Sequence, residues 1–331
     1  MERLDPENTE TAKLLDKANA FYDQRKHDKA KKFAEKALSI SLKARGPEHP
    51  DVATAYHTLG KIHANESFYP DKAIEYTEKA LAIRLQALGP DHPDIAMSYN
   101  NLGAEYLTKH EVGKAMQYHE KALAIRLRTL GAEHPDVAMS YSNLHEVHRR
   151  KRHYGKAMYC LEKALSIRLK ALSPEHPDVA RCYSKLGRIH FNKGESDKAL
   201  QYHEKALACL LKVLGFEHLD VALGYANVGA LHSGMGDHGK AIEYYEKALT
   251  IESKALGSAH PVIANSYERL SQAYFRKGQQ EEAMKYAEKS LAIRFKAFGS
   301  EHPSVVKIYR TLYAYYWNFS IKKKSLDYFK N

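Results

Sequence analysis

The 331-residue sequence predicts an all-α fold, a solenoid of tandem helical hairpins with seven complete copies and a truncated eighth. Three observations predict it. A phrase of the form Gly-x-Glu-His-Pro-Asp-Val-Ala returns seven times, beginning at Gly46, Gly89, Gly131, Ser173, Gly215, Gly257 and Gly299. The histidines of these phrases, His49, His92, His134, His176, His218, His260 and His302, are 43 residues apart once and 42 thereafter. Between the phrases apolar residues recur at three- and four-residue intervals in two stripes, the signature of paired amphipathic helices. A fixed period of this length marks stacked supersecondary units, each unable to bury its own apolar face without a neighbour.

These repeats divide residues 1–331, read as one array, into a capping repeat at 1–45, repeats at 46–88, 89–130, 131–172, 173–214, 215–256 and 257–298, and a truncated eighth at 299–331. The first hairpin, "TAKLLDKANAFYDQRKHDKAKKFAEKALSISLKAR", has a degenerate first helix, as a solvent-facing cap has. The second carries one extra residue between Leu59 and Ala73, in the turn containing Pro70. The third shows the pattern most plainly. Ala96, Tyr99, Leu102, Gly103 and Tyr106 make one stripe, which ends near His110. Ala115, Tyr118, Ala122, Ile125 and Leu130 make the next, beyond a short polar turn. In the fourth, His145 replaces the small residue of Leu-Gly and is expected to spread its helix pair. At the end, "KKSLDYFKN" aligns with "EEAMKYAEK" one period earlier, so an eighth hairpin is expected to begin and stop within its second helix, with either Tyr328 and Phe329 folding back as a short cap or the edge covered by another molecule.

The recurring phrase reads as a junction. Proline suits the first helical position, where its missing N–H is not needed. Asp51, Asp94, Asp136 and Asp178 then fall in the first turn, where negative charge complements the helix dipole. The glycine that opens most copies suits a left-handed stop for the preceding helix. A shared metal is disfavoured, because stacked helices lie roughly 8 to 10 Å apart and two ligands of one zinc must each approach to about 2 Å. His63, His148, His190 and His232 occupy a position that is Phe21, Tyr106, Tyr274 or Tyr316 in other copies, so a flat ring packed in the core is expected there.

Composition narrows the class. Hydrophobic residues at 44% and charged residues at 27% are globular values. No apolar run is long enough to span a bilayer and the N-terminus lacks an apolar leader segment, so no membrane insertion and a cytoplasmic location are expected. Cys160, Cys182 and Cys209 form no Cys-x-x-Cys pair and are expected as small buried hydrophobes. There is no Gly-rich phosphate loop, Gly-x-Ser-x-Gly or His-Glu-x-x-His, and nearly every residue belongs to a repeat. Hence no catalytic residue, cofactor or metal is expected.

The order aromatic, x, x, Leu-Gly, x, x, Tyr, followed by Ala and then x-Glu-Lys-Ala-Leu, is found in "YNNLGAEY" with "AMQYHEKAL" and resembles the tetratricopeptide repeat. The 42-residue period and the Leu-Gly-x-x-His-Pro junction resemble more narrowly the repeats of kinesin light chains and nephrocystin-like proteins. Nothing in the chain matches the heptad segment of kinesin light chains. The resemblance implies a right-handed superhelix, a scaffold or adaptor role, and a concave groove lined by the first helices. On the third repeat it implies groove positions at Met97, Asn100, Asn101, Ala104, Leu107 and Thr108. It also implies that Asn143 and Asn227 match asparagines that bond the backbone of an extended peptide.

Carried through the hairpins, those positions give a lopsided surface. The first three hairpins supply Asp16, Asn19, Asp23, His57, Lys61, Asn100 and Asn101, which are nearly neutral together. From the fourth onward come Arg149, Arg150, Arg181, Lys185 and Arg188, then Arg269, Arg276, Lys307 and Arg310, opposed by Glu146 and Glu268. Phe191, Phe275 and Trp317 stand where Leu107 stands in the third repeat. A concavity of one charge sign favours a ligand of the other, and arginine adds bidentate recognition of carboxylate or phosphate. The expected partner is therefore an acidic, extended segment of another protein. Net charge of +11 and a pI near 9.2 make nucleic acid the rival. It is disfavoured because the groove positions repeat no base-reading pair. Two further readings stand beside it: the chain as the repeat portion of a larger enzyme or motor-adaptor assembly, and self-association through the aromatic C-terminal edge "YRTLYAYYWNF".

Overall fold

The structure, a computed structural model, describes residues 6–66 and 70–328, with side chains over 9–64 and 70–320. Fifteen helices and no strands are found among them. The chain divides into two compact units, Met1–Ala171 and Leu172–Asn331. The first holds α1 (Pro6–Asp23), α2 (His27–Arg45), α3 (Pro50–Glu66), α4 (Asp71–Ala87), α5 (Pro93–Thr108), α6 (Val112–Leu130), α7 (Pro135–Arg150) and α8 (Tyr154–Ala171). The second holds α9 (Pro177–Asn192), α10 (Ser196–Leu214), α11 (Leu219–Gly234), α12 (His238–Leu256), α13 (Pro261–Arg276), α14 (Gln280–Phe298) and α15 (Pro303–Tyr328). Within each unit every helix packs on the next, most extensively inside a hairpin, which makes each a helical solenoid.

The junction phrase does more than the sequence reading allowed. In all seven copies the histidine itself caps the following helix, its Nδ1 accepting from the backbone N–H two residues on, at 3.1 to 3.3 Å. Histidine thus takes the place that serine, threonine or aspartate usually fills at a helix start. The six opening glycines have φ between +75° and +81°, and at Gly46, Gly131, Gly215, Gly257 and Gly299 ψ lies between 149° and 176°. That region is essentially closed to side-chain-bearing residues. Ser173 stands outside this set, and its Oγ instead accepts from the Glu175 N–H.

Each described hairpin turn after α1, α5, α7, α9, α11 and α13 uses one device. A residue of positive φ follows the helix, at Arg25, His110, Arg152, Gly194, Gly236 and Gly278. The next N–H reaches back to the carbonyl five residues earlier, as Glu111 does to Tyr106 at 2.9 Å. This is the Schellman closure. One period after Gly278 the position is Ser320, and α15 runs through it unbroken to Tyr328. The expected eighth turn is therefore absent among the described residues: no positive-φ residue with its backward hydrogen bond interrupts α15 there. The expected cap falls partly at Phe329, outside the described residues. The turn holding the extra residue of the second repeat likewise includes 67–69, outside them.

The ring column packs as expected. His63 stacks on Tyr76, His190 on Tyr202 and His232 on Tyr244, with centroids 5.2 to 5.5 Å apart, as Tyr106 does on Tyr118 and Tyr274 on Tyr286. Lysines of the Glu-Lys-Ala motif lie over these rings; Lys121 sits 5.2 Å from Tyr99 and Lys247 the same distance from Tyr244. His148 meets His153 instead, because Cys160 stands where the other second helices carry tyrosine or, in α2, Phe33. Cys160 and Cys182 are buried and Cys209 only partly so, its Sγ donating to the Pro174 carbonyl.

The glycine of Leu-Gly is answered across each hairpin. A Cβ added at Gly103 would lie 2.5 Å from the His119 ring, at Gly187 2.5 Å from His203, and at Gly229 2.9 Å from Tyr245. At these three glycines the second helix supplies a ring, whereas opposite Gly60 it supplies Thr77, whose Oγ1 an added Cβ would meet at 2.7 Å. At the fourth repeat the assignment reverses: His145 is fully buried on α7, and the position one period after His119 is the buried Leu161. Exchanging bulk between helices lets α7 and α8 remain packed as the other pairs are, so the expected spreading is not needed.

Candidate functional site

In the first unit the groove positions are occupied by one another. Arg149 and Arg150 both bond Glu146, and Arg150 Nη1 also donates to the Leu107 carbonyl at 2.8 Å. The two guanidiniums in turn hold the Glu146 carboxyl down near 2, chiefly through the Arg149 hydrogen bond. Asn143 Nδ2 donates to Asn100 Oδ1, and Asn101 lies 3.5 Å from His57 Nδ1. Arg149 and Arg150, expected as groove cations opposed by Glu146, are thus held by that carboxylate while each keeps about a third of its side chain exposed. An arginine three or four residues from a glutamate on the same helix meets it before it meets anything else.

In the second unit the α9 cations gather. Arg181, Lys185 and Arg188 are spaced i, i+4, i+7 on α9, so they share one face. They line a cleft of about 270 Å³ together with Phe191, with His203 of α10, and with Asn227, Ala230 and Leu231 of α11. No carboxylate lines it. Phe191 is held at its end by Gly234, where an added Cβ would come 3.4 Å from the ring. Arg181 pairs with Asp178 at 3.0 Å while two thirds of its side chain stays exposed. Arg188 has no carboxylate within ion-pair distance among the described residues.

A second opening, of about 280 Å³, adjoins the first and shares Arg181, Ser184 and Asn227. Leu210, Leu223 and Gly224 form its apolar side. Its origin is legible by comparison along the repeat. Between α4 and α5 Arg84 donates to Ser98 at 2.7 Å and to the Asp94 carbonyl. Between α6 and α7 Arg126 does the same with Ser140 at 2.8 Å and Asp136. The corresponding pair between α10 and α11 is Leu210 with Gly224, which has neither the bond nor the bulk to close the space.

Further along, the cations are less available. Lys307 and Arg294 both bond Glu268, so this carboxylate offsets Lys307 as Glu146 offsets Arg149 and Arg150. Arg269 and Arg276 have no ion pair among the described residues. Arg310 lines a shallow hollow on α15 with Lys307, Val306 and Thr311. Trp317 is exposed and stacks with Tyr313 at 6.4 Å, whereas Phe275 is drawn inward onto Tyr315 at 4.3 Å. Sequence reasoning missed His203 as a lining residue. The signal available was its place opposite Gly187, one helix below the lysine and arginines of α9.

No group of three or more histidine, cysteine, aspartate or glutamate side chains placed to hold a metal occurs among the described residues. Nor is any described helix long and apolar enough to cross a membrane.

Helical hairpins stacked in register, with polar and charged side chains on the first helices, define a helical-repeat protein, a class that generally serves as a protein–protein interaction scaffold and is typically non-enzymatic. The tetratricopeptide repeat family model matches residues 10–66, 70–128, 106–170, 136–212 and 220–294, and the chain belongs to that family. No curated protein matches it significantly. Among solved structures it is similar to a kinesin light chain-type protein of nearly identical repeats from Podosopora anserina. That match has 28% identity and a TM-score of 0.56, and covers 62% of this chain and 98% of that one. It is also similar to BtubC from P. vanneervenii, with 24% identity, TM-score 0.61, and 70% and 92% coverage. A third likeness is to a signal-transduction ATPase with a tetratricopeptide repeat sensor from Pyrococcus horikoshii, at 16% identity and TM-score 0.65, covering 96% of this chain and 49% of that one. The last two likenesses concern the fold alone.

Proposed function

We propose that this protein is an adaptor whose second unit grips an acidic, extended segment of a partner protein along α9 and α11. The observation that carries the reading is the convergence of Arg181, Lys185, Arg188, Phe191 and Asn227 on one cleft without a lining carboxylate. Cations on a concave surface focus a field of one sign and draw an oppositely charged ligand. Phe191 offers a ring face and Asn227 an amide for main-chain hydrogen bonds, so charge, apolar anchor and backbone contact lie within one cleft. Arg269, Arg276 and Arg310 extend the positive character over α13 and α15. A cytoplasmic setting suits such a role.

The reading is tested by reversing Arg181, Lys185 and Arg188 together to glutamate and comparing capture of partners from the native cell. Partners retained by the wild-type chain and lost by the triple variant are expected. Equal capture by both chains removes the α9 face as the contact. Nucleic acid is the competing ligand, and the salt dependence of RNA retention separates it, since adventitious phosphate binding falls steeply and regardless of sequence as salt rises.

A further inference from the structure

The floor of the α9–α11 cleft holds a side chain that the acidic-segment reading does not use. His203 is 8% exposed and lines the cleft. Its ring lies on Gly187, with Nε2 2.8 Å from where a Cβ would stand. That contact alone explains why a ring is present, because the first unit has the same arrangement at Gly103 and His119. The surroundings differ. At Gly103 the neighbouring groove positions are Asn101 and Ala104, with no cation, whereas at Gly187 they are Lys185 and Arg188. Burial, and then the Arg188 charge, hold the His203 imidazole down near 4, so at neutral pH it is uncharged and keeps one N–H to donate.

We propose that this cleft seats a phosphomonoester dianion, so that the partner segment is recognised in a phosphorylated form. The inference rests on the groove reading above and sharpens it. A carboxylate carries one charge on two oxygens and is satisfied by a single guanidinium fork. The cleft instead offers Arg188, which has no ion pair among the described residues, and Arg181, two thirds exposed though paired with Asp178, with Lys185 between them on about 10 Å of one helix, and an amide at Asn227 and an imidazole at His203 besides. A phosphorylated side chain brings about −1.5 to −2 charges and three acceptor oxygens, which matches that surplus of donors. A polyphosphate chain such as RNA fits less well. Its next phosphates would need further cations, and the adjoining groove positions of α11 are Leu223, Asn227 and Ala230.

The test uses the full chain, immobilised, and three pools of eleven-residue peptides of random sequence with a fixed central phosphoserine, glutamate or serine, together with a 5′-phosphorylated RNA oligonucleotide. The phosphoserine pool is expected to be retained about tenfold better than the glutamate pool. That preference should fall in Arg188→Gln and in His203→Phe, the latter keeping a ring over Gly187 so that folding is preserved. Titration with O-phosphoserine should shift the His203 imidazole resonances. Equal retention of the phosphoserine and glutamate pools, both lost in Arg181→Glu/Lys185→Glu/Arg188→Glu, overturns the phosphate seat and leaves the acidic-segment groove standing. Retention of neither acidic pool overturns both. Preferential retention of the RNA, or an unchanged preference in His203→Phe, overturns the seat as drawn.

Discussion

Glu105 offers the sharpest physical prediction in the molecule. Its column along the repeat is otherwise Ile62, Val147, Ile189, Leu231, Ala273 and Tyr315, an apolar core position. The carboxyl is 5% exposed, receives one bond from Thr77 Oγ1 at 2.8 Å, and leaves Oε2 buried without a partner. Desolvation, more than the Thr77 bond can offset, raises its pKa from 4.5 to about 7. Below the unfolded value both states are protonated and stability does not depend on this group. Between 4.5 and about 7 the unfolded chain ionises while the folded one keeps its proton, so stability falls as pH rises. Above about 7 the whole penalty is present, roughly 3 kcal/mol at about 1.4 kcal/mol per unit. Glu105→Gln removes the charge and keeps the Thr77 bond. The variant should match the wild type at pH 4 and exceed it by up to roughly 3 kcal/mol at pH 8. Amide hydrogen exchange of α4 and α5, corrected for intrinsic rates, reads the difference locally. A wild-type-minus-variant difference that stays flat between pH 4 and pH 8 would refute the reasoning, since other titrating groups cancel in that comparison.

Three further outcomes follow from the same geometry. His134→Ala should cost about 1 kcal/mol by leaving the Asp136 N–H uncapped, and His134→Asn should recover most of it; thermal denaturation of the three chains checks this. Gly131→Ala should cost about 1 to 3 kcal/mol because its φ is +80°, whereas Ser173→Ala, outside the positive-φ set, should not incur that strain; the difference between their denaturant midpoints is the test. Gly103→Ala should destabilise by roughly 1 to 3 kcal/mol through its clash with the His119 ring, and combining it with His119→Ala should be far from additive, as a double-mutant cycle would measure.

Most of the fold is legible because the period repeats each local signal many times. Pro93 at the helix start, Asp94 in its first turn and Gly131 after the next helix all concern the backbone within a few residues, and the structure uses them as the local chemistry dictates. His92 is the instructive partial miss. Its position between stop and proline was visible, but that Nδ1 replaces the usual hydroxyl or carboxylate cap depends on a rotamer. The truncated hairpin failed for a converse reason. "KKSLDYFKN" keeps a second-helix pattern, yet amphipathic spacing does not say where a turn will form, and α15 runs on through Ser320.

The site divides along the same line. By itself the sequence determined the all-α repeat architecture and the α9 face on which Arg181, Lys185 and Arg188 stand, because helical spacing converts residue number into direction. Only the tertiary structure decided which side chains of different helices meet. Arg149, Arg150 and Lys307 are taken by carboxylates on their own or a neighbouring helix, Leu210 and Gly224 leave a gap that Arg and Ser fill elsewhere, and His203 rises to the cleft floor. Those outcomes turn on separations of a few ångströms between side chains of different helices, and period alone does not carry that distance.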